Sequence, residues 1–130
     1  MDALLAAAVE ARENAFAPYS KFRVGAAVEL ADGRIVTGCN VENASYGLTI
    51  CAERVAIFKA VSEGARPGDF RRVAVCADTS RLTPPCGACR QILWEFCGDV
   101  PVTLVNLAGV TREFTLGQLL PEAFDDSLLG

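Results

Sequence analysis

No histidine occurs anywhere in the 130 residues. A Ser-His-Asp triad, a Cys-His dyad, an H-E-x-x-H zinc site and a Cys2His2 finger are therefore excluded. Any metal must be held by Cys, Asp, Glu or backbone oxygen, and any general base must be a carboxylate, Lys, Tyr or Cys. Positive charge is also scarce, with 12 Lys and Arg against 16 Asp and Glu, a net charge of −4 and an isoelectric point near 4.8. Binders of long polynucleotides draw their affinity from neutralising phosphates, so this balance argues against such a partner. No apolar run approaches the roughly 18 residues that a membrane span needs. Repeats, low-complexity tracts and charge blocks are absent as well. The opening Met1-Asp2 carries no basic region, and the apolar run Leu4 to Val9 is broken by Glu10, Arg12 and Glu13. That start reads as an amphipathic helix and not as a signal peptide. The expectation is a soluble, cytoplasmic protein whose 6 cysteines are free or metal-bound, because disulfide frameworks belong to small secreted chains with weak cores.

What is present suffices for a core. With 52% hydrophobic and 22% charged residues, residues 1–130 read as a single domain with no linker-like division. Asp2 is placed to cap a helix running to about Ala15, with Leu4, Ala8, Arg12 and Phe16 along one face. Val24 to Leu30 and Ile35 to Cys39 read as strands joined through Asp32-Gly33, a strong hairpin signal. Asn40 to Tyr46 reads as loop. Helices are expected from about Cys51 to Glu63, from Cys86 or Gly87 to Cys97, and around Leu116 to Leu120 behind Thr115. Buried strands are expected at Val73 to Ala77 and Val102 to Asn106, with a weak strand before the last helix. Alternation of strands and helices implies a layered α/β domain with helices on both faces of the sheet. Sites in such folds gather where strands end and helices begin.

Two cysteine clusters fall at such junctions: Cys51-Ala52-Glu53-Arg54 and Pro85-Cys86-Gly87-Ala88-Cys89-Arg90. Together they form C-x-E followed by P-C-x-x-C. A catalytic zinc takes three protein ligands and leaves its fourth tetrahedral position to water. Cys86 and Cys89 have the spacing at which side chains on one turn converge, and Cys51 offers a third thiolate. Where a closing fourth cysteine could stand there is Glu53. Helix N-termini favour the thiolate form. Three thiolates on Zn²⁺ carry a formal charge of −1, which an adjacent guanidinium, Arg54 or Arg90, can offset. Positions i and i+2 of a regular helix face apart, so Cys51 and Glu53 share a site only if the helix begins close to Cys51.

With these clusters the chain resembles the small, three-cysteine cytidine deaminases. The likeness extends over Tyr19-Ser20-Lys21-Phe22 with Val24-Gly25-Ala26-Ala27, Gly38-Cys39-Asn40-Val41-Glu42-Asn43-Ala44, both cysteine clusters, and Leu120-Pro121-Glu122-Ala123-Phe124. It departs at Arg23, where proline is common in that family. The resemblance implies a three-layer α-β-α sandwich with a mixed central sheet. It further implies one Zn²⁺ per chain on Cys51, Cys86 and Cys89, with Glu53 moving protons during hydrolytic attack at C4 of the pyrimidine. Arg54 would hydrogen-bond the ligand thiolates, Asn40 and Glu42 would bind ribose hydroxyls, and Phe22 would stack near the base. Phe124 would reach a neighbouring subunit's site in a homotetramer. The implied reaction is deamination of cytidine and deoxycytidine in pyrimidine salvage.

Other readings stay open on the residues alone. A deaminase of a cytosine nucleoside antibiotic such as blasticidin S shares the zinc motif, and polynucleotide editing is disfavoured by acidity and short loops. Cys86-Gly87-Ala88-Cys89 could be a redox pair, which leaves Cys51 and Glu53 without a role. A purely structural zinc module lacks a fourth ligand. Cys39, Cys76 and Cys97 read as small core residues, and Arg71-Arg72 as a surface pair.

Overall fold

The computed structural model describes residues 1–129. Helix α1, Ala3–Arg12, begins at Asp2, whose Oδ1 accepts the Leu5 N–H at 3.0 Å. Its buried stripe is Leu4, Ala8 and Ala11, the spacing of one helical face. The helix stops at Arg12, short of the expected Ala15, because Phe16 is claimed by another element. The Phe16 N–H donates to the Asn40 carbonyl and the Glu42 N–H donates to the Phe16 carbonyl, both at 2.9 Å. That ladder needs extended backbone, which ends the helical run.

Strands β1 (Val24–Leu30) and β2 (Ile35–Cys39) form the expected antiparallel hairpin, with Gly33 at φ +93° in the turn. Strand β3, Phe70–Ala77, pairs antiparallel with β1 and begins earlier than the expected Val73. The charged Arg71-Arg72 pair hides those first positions from a hydropathy reading. Arg72 lies between Asp2 and Glu29, at 3.3 and 3.4 Å. Strand β4, Pro101–Val105, runs parallel to β3, and β5, Thr111–Thr115, pairs antiparallel with β4. The sheet is therefore mixed, in the order β2-β1-β3-β4-β5.

Helix α1 lies on one face, where Leu4 and Ala8 pack with Ala27, Ala74, Cys76 and Val105. Helices α2 (Ala52–Ser62) and α3 (Gly87–Cys97) cover the other. There Ala56, Ile57 and Leu93 pack with Val28, Val73, Val75 and Leu104. Neighbours such as Val73 and Ala74 belong to opposite layers, as the period of a strand requires. This is the expected three-layer sandwich. The last helix, α4 (Leu116–Leu119), starts from a capping box between Thr115 and Gln118. No helix among the described residues is long and apolar enough to cross a membrane.

Two glycines let the outer helices approach the hairpin. A Cβ at Gly25 would fall 2.1 Å from the Ala8 carbonyl oxygen of α1, and one at Gly38 would fall 2.5 Å from the Ala52 carbonyl oxygen of α2. The obstacles are backbone and cannot swing aside. Gly38→Ala is expected to cost about 2–4 kcal/mol, at or above the usual range for overpacking. Gly47→Ala, which meets nothing within 4 Å, should stay within about 0.5 kcal/mol. Chemical denaturation of both variants measures the difference.

Candidate active site

The site lies where α2 and α3 begin. Cys51 is the N-cap of α2, with extended backbone at φ −71° and ψ 153°, and Cys86 is the N-cap of α3, at φ −66° and ψ 167°. Because α2 starts only after Cys51, the i, i+2 geometry of a regular helix does not apply to Cys51 and Glu53. Both line the same cavity. Cys89 follows in the first turn of α3 and is buried.

The three sulfurs converge. Cys86 Sγ stands 3.3 Å from Cys89 Sγ and 3.9 Å from Cys51 Sγ, and all three lie within 4.8 Å of one another. Thiols so close cannot all ionise without a cation among them. A hydrogen bond from Cys89 and the Arg54 guanidinium hold the Cys51 thiol well below its usual range, while that hydrogen bond and burial push Cys89 up. A divalent cation removes the conflict, since the thiolate is the ligand form. Two helix N-termini and the Arg54 Nη2, which donates to Cys51 Sγ at 3.4 Å, complement the negative charge. The donor set fits zinc.

Glu53 is 5% exposed. Burial, assisted by the nearby Cys51 charge, pushes its carboxyl up to about 7. A carboxyl of that kind both accepts and releases a proton near neutrality. Above it opens a cavity of about 260 Å³. Phe22, Asn40, Glu42, Cys51, Glu53 and Cys86 all reach its wall.

Asn40 and Glu42 also organise that wall. Asn40 Oδ1 accepts the Val24 N–H at 2.8 Å and its Nδ2 donates to the Phe22 carbonyl at 2.7 Å. Glu42 accepts the N–H groups of Tyr19 and Ser20 at 3.0 and 3.1 Å, together with the Ser20 hydroxyl. The Ser20 hydroxyl foremost, with these amides, holds the Glu42 carboxyl below its ordinary value. Both residues thus fix the segment that carries Phe22, in which Lys21 takes a positive φ of 62°. Ser20, Tyr46, Thr49, Thr83 and Pro84 join the lining. Sequence reasoning assigned them no role, and only their places beside recognised motifs pointed to them.

Arg90 lies away from the sulfurs, and Phe124 is assigned by the resemblance to a neighbouring subunit's site and not to this cavity. Arg90 donates to the carbonyls of Pro85 and Leu119, at 2.7 and 2.8 Å, and so braces the loop before α3 without meeting a sulfur. Phe124 is 56% exposed and stands outside this cavity. Gln91 Nε2 donates to its carbonyl at 2.7 Å, and the next residue, Asp125, accepts from Trp94 Nε1 at 3.1 Å.

An α/β/α sandwich that brings three thiols and a buried carboxyl together at two helix N-termini has the arrangement of a zinc deaminase. Residues 1–104 match the family of the cytidine and deoxycytidylate deaminase zinc-binding region. The cytidine deaminase of Halalkalibacterium halodurans is 56% identical over 122 residues, covering 93% of this chain and 91% of that protein. The crystal structure of cytidine deaminase from Burkholderia pseudomallei superposes with a TM-score of 0.92 at 52% identity, covering 94% of this chain and 97% of that one. The blasticidin-S deaminase of Bacillus cereus is more distant, 32% identical over 110 residues, 78% of this chain and 76% of that protein. The chain belongs to the cytidine and deoxycytidylate deaminase family, a family of zinc enzymes.

Proposed function

We propose that this protein converts cytidine and deoxycytidine to uridine and deoxyuridine, consuming water and releasing ammonia, as a pyrimidine salvage enzyme. The observation that carries the proposal is the buried Glu53 carboxyl, which shares a nucleoside-sized cavity with Cys51 and Cys86 of the converging sulfur cluster. The similarity to cytidine deaminases supports the same substrate.

Cys51, Cys86 and Cys89 would hold one Zn²⁺ as thiolates. When bound, the ion supplies Lewis-acid activation of water for attack at C4 of the pyrimidine. Glu53 would accept one proton from the attacking water and deliver it to N3. It would then take the remaining proton of the hydroxyl added at C4 and pass it to the departing N4 amine, so that ammonia leaves as the C4 carbonyl forms. Burial keeps this carboxyl poised for both directions of transfer. Arg54 offsets the net negative charge of three thiolates around a dication. Phe22 packs against the base, and Asn40 and Glu42 hydrogen-bond the ribose hydroxyls while holding the Phe22 segment in place. Buried polar partners of that kind discriminate strongly against the free base, which carries no sugar hydroxyl. We take residues 1–130 as one deaminase domain that acts in the cytoplasm as a homotetramer, with Phe124 completing a neighbour's site.

The test is a single preparation. Zinc-loaded protein with the light-scattering mass of four chains is expected to bleach the cytidine ultraviolet band and to leave blasticidin S far less affected. Protein holding stoichiometric zinc that leaves cytidine unchanged overturns the reading, and faster turnover of blasticidin S reassigns the substrate.

A further inference from the structure

On the α3 side of the sheet lies a second cavity of about 210 Å³ that no part of the deamination chemistry uses. Three arginines line it, Arg81, Arg90 and Arg112. They come from the loop after β3, from α3 and from β5. No carboxylate shares the lining, and the remaining wall is apolar, built from Leu104, Phe114 and Leu119 with Leu82 and Pro84. This gathering occurs in a chain whose net charge is −4.

The arginines that form ion pairs among the described residues are others: Arg12 and Arg23 with Glu13, Arg34 with Asp32, and Arg72 with Asp2 and Glu29. Arg81, Arg90 and Arg112 thus face a common space with no protein counter-charge. Like charges brought together repel, and an anion bound among them relieves the repulsion. Two of the three are also pre-positioned. Arg90 is held by its bonds to the Pro85 and Leu119 carbonyls, which occupy Nε and Nη1 and leave Nη2 available. Arg112 lies over the Phe114 ring, 4.5 Å from its centroid, a favourable stack. A fork of fixed guanidinium donors matches phosphate oxygens in both charge and geometry.

We propose that the cavity formed by Arg81, Arg90 and Arg112 binds a phosphate-class anion, either a free phosphate or polyphosphate or the phosphate tail of a nucleotide. Pro84 lines both this cavity and the nucleoside cavity, so the anion sits against the loop that carries Cys86. The site does not depend on the substrate of the deaminase.

Calorimetric titration of the zinc-loaded protein at constant ionic strength tests it, with inorganic phosphate, tripolyphosphate and adenosine triphosphate as probes. Tripolyphosphate is expected to bind saturably, at about one per chain. Arg81→Ala/Arg112→Ala, which changes two exposed residues, should weaken it by at least about tenfold, as loss of charge-assisted bonds does. Arg34→Ala/Arg71→Ala removes the same charge elsewhere and should leave the affinity within about twofold, the small effect of distant surface charge. Tighter binding of the nucleotide than of tripolyphosphate identifies a nucleotide whose base uses the apolar wall, and equal binding identifies the phosphate groups alone. A flat titration, or equal losses in the two double variants, overturns the proposal.

Discussion

Glu53→Gln is expected to retain zinc and to lose turnover by at least about 10²–10⁴-fold, the range for removal of a general acid–base group. The amide is nearly isosteric with the carboxyl and fills the same buried space at the start of α2, so packing is preserved. It cannot accept the proton of water or return one to N3 and N4. Burial already disfavours the ionised carboxylate at this position, so a neutral side chain brings no new desolvation cost to folding. The variant should therefore melt no lower than the parent while kcat falls. Zinc content, thermal melting and the cytidine absorbance assay on one sample separate the alternatives. Turnover within tenfold of the parent would remove Glu53 from the mechanism.

Cys86→Ala is the second large effect. Cys86 is exposed whereas Cys89 is fully buried, so truncating Cys86 removes a ligand without opening a core cavity. The remaining Cys51 and Cys89 offer two thiolates where a catalytic zinc takes three ligands. We expect the variant to lose zinc and to fall to background activity while keeping its far-ultraviolet spectrum. Chelation of the parent should act in the same direction and be reversed by added Zn²⁺. Zinc at about a hundredfold excess over Kd stabilises by about 2.7 kcal/mol. At about 4 °C per kcal/mol for a domain of this size, the metal-free protein should melt about 10 °C lower. Full activity in zinc-free Cys86→Ala would sink the assignment of this cluster.

Much of this was legible in the residues because it is local. The capping aspartate before α1, the Asp32-Gly33 turn and the apolar runs of β1, β2 and β4 each announce themselves within a few positions. Element ends were less legible where two elements compete for one residue. Phe16 fits the helical face of α1 in pattern, yet it pairs with the Asn40 to Glu42 segment, a partner 24 to 26 positions away. Arg71 and Arg72 read as surface charge, yet they sit in β3, because Phe70 and Arg72 on either side of Arg71 pair with Leu30 and Glu29 of β1 and Arg72 finds Asp2 and Glu29. The resemblance marked Asn40 and Glu42 as ribose contacts, and their hold on the Phe22 segment shows only in the folded chain.

By itself the sequence determined the chemistry available: with no histidine, a metal is left to Cys, Asp, Glu or backbone oxygen, and C-x-E with P-C-x-x-C supplies three thiolates and a carboxyl. Tertiary structure decided where those groups point. It started α2 one residue after Cys51, so that Cys51 and Glu53 line one cavity. It brought Cys86 to within 3.9 Å of Cys51 across 35 positions, and it gathered Arg81, Arg90 and Arg112 around a space with no carboxylate. The reason is physical: side-chain type and helical or strand periodicity are properties of neighbours along the chain, whereas the meeting of two helix N-termini depends on which strands lie side by side in the sheet.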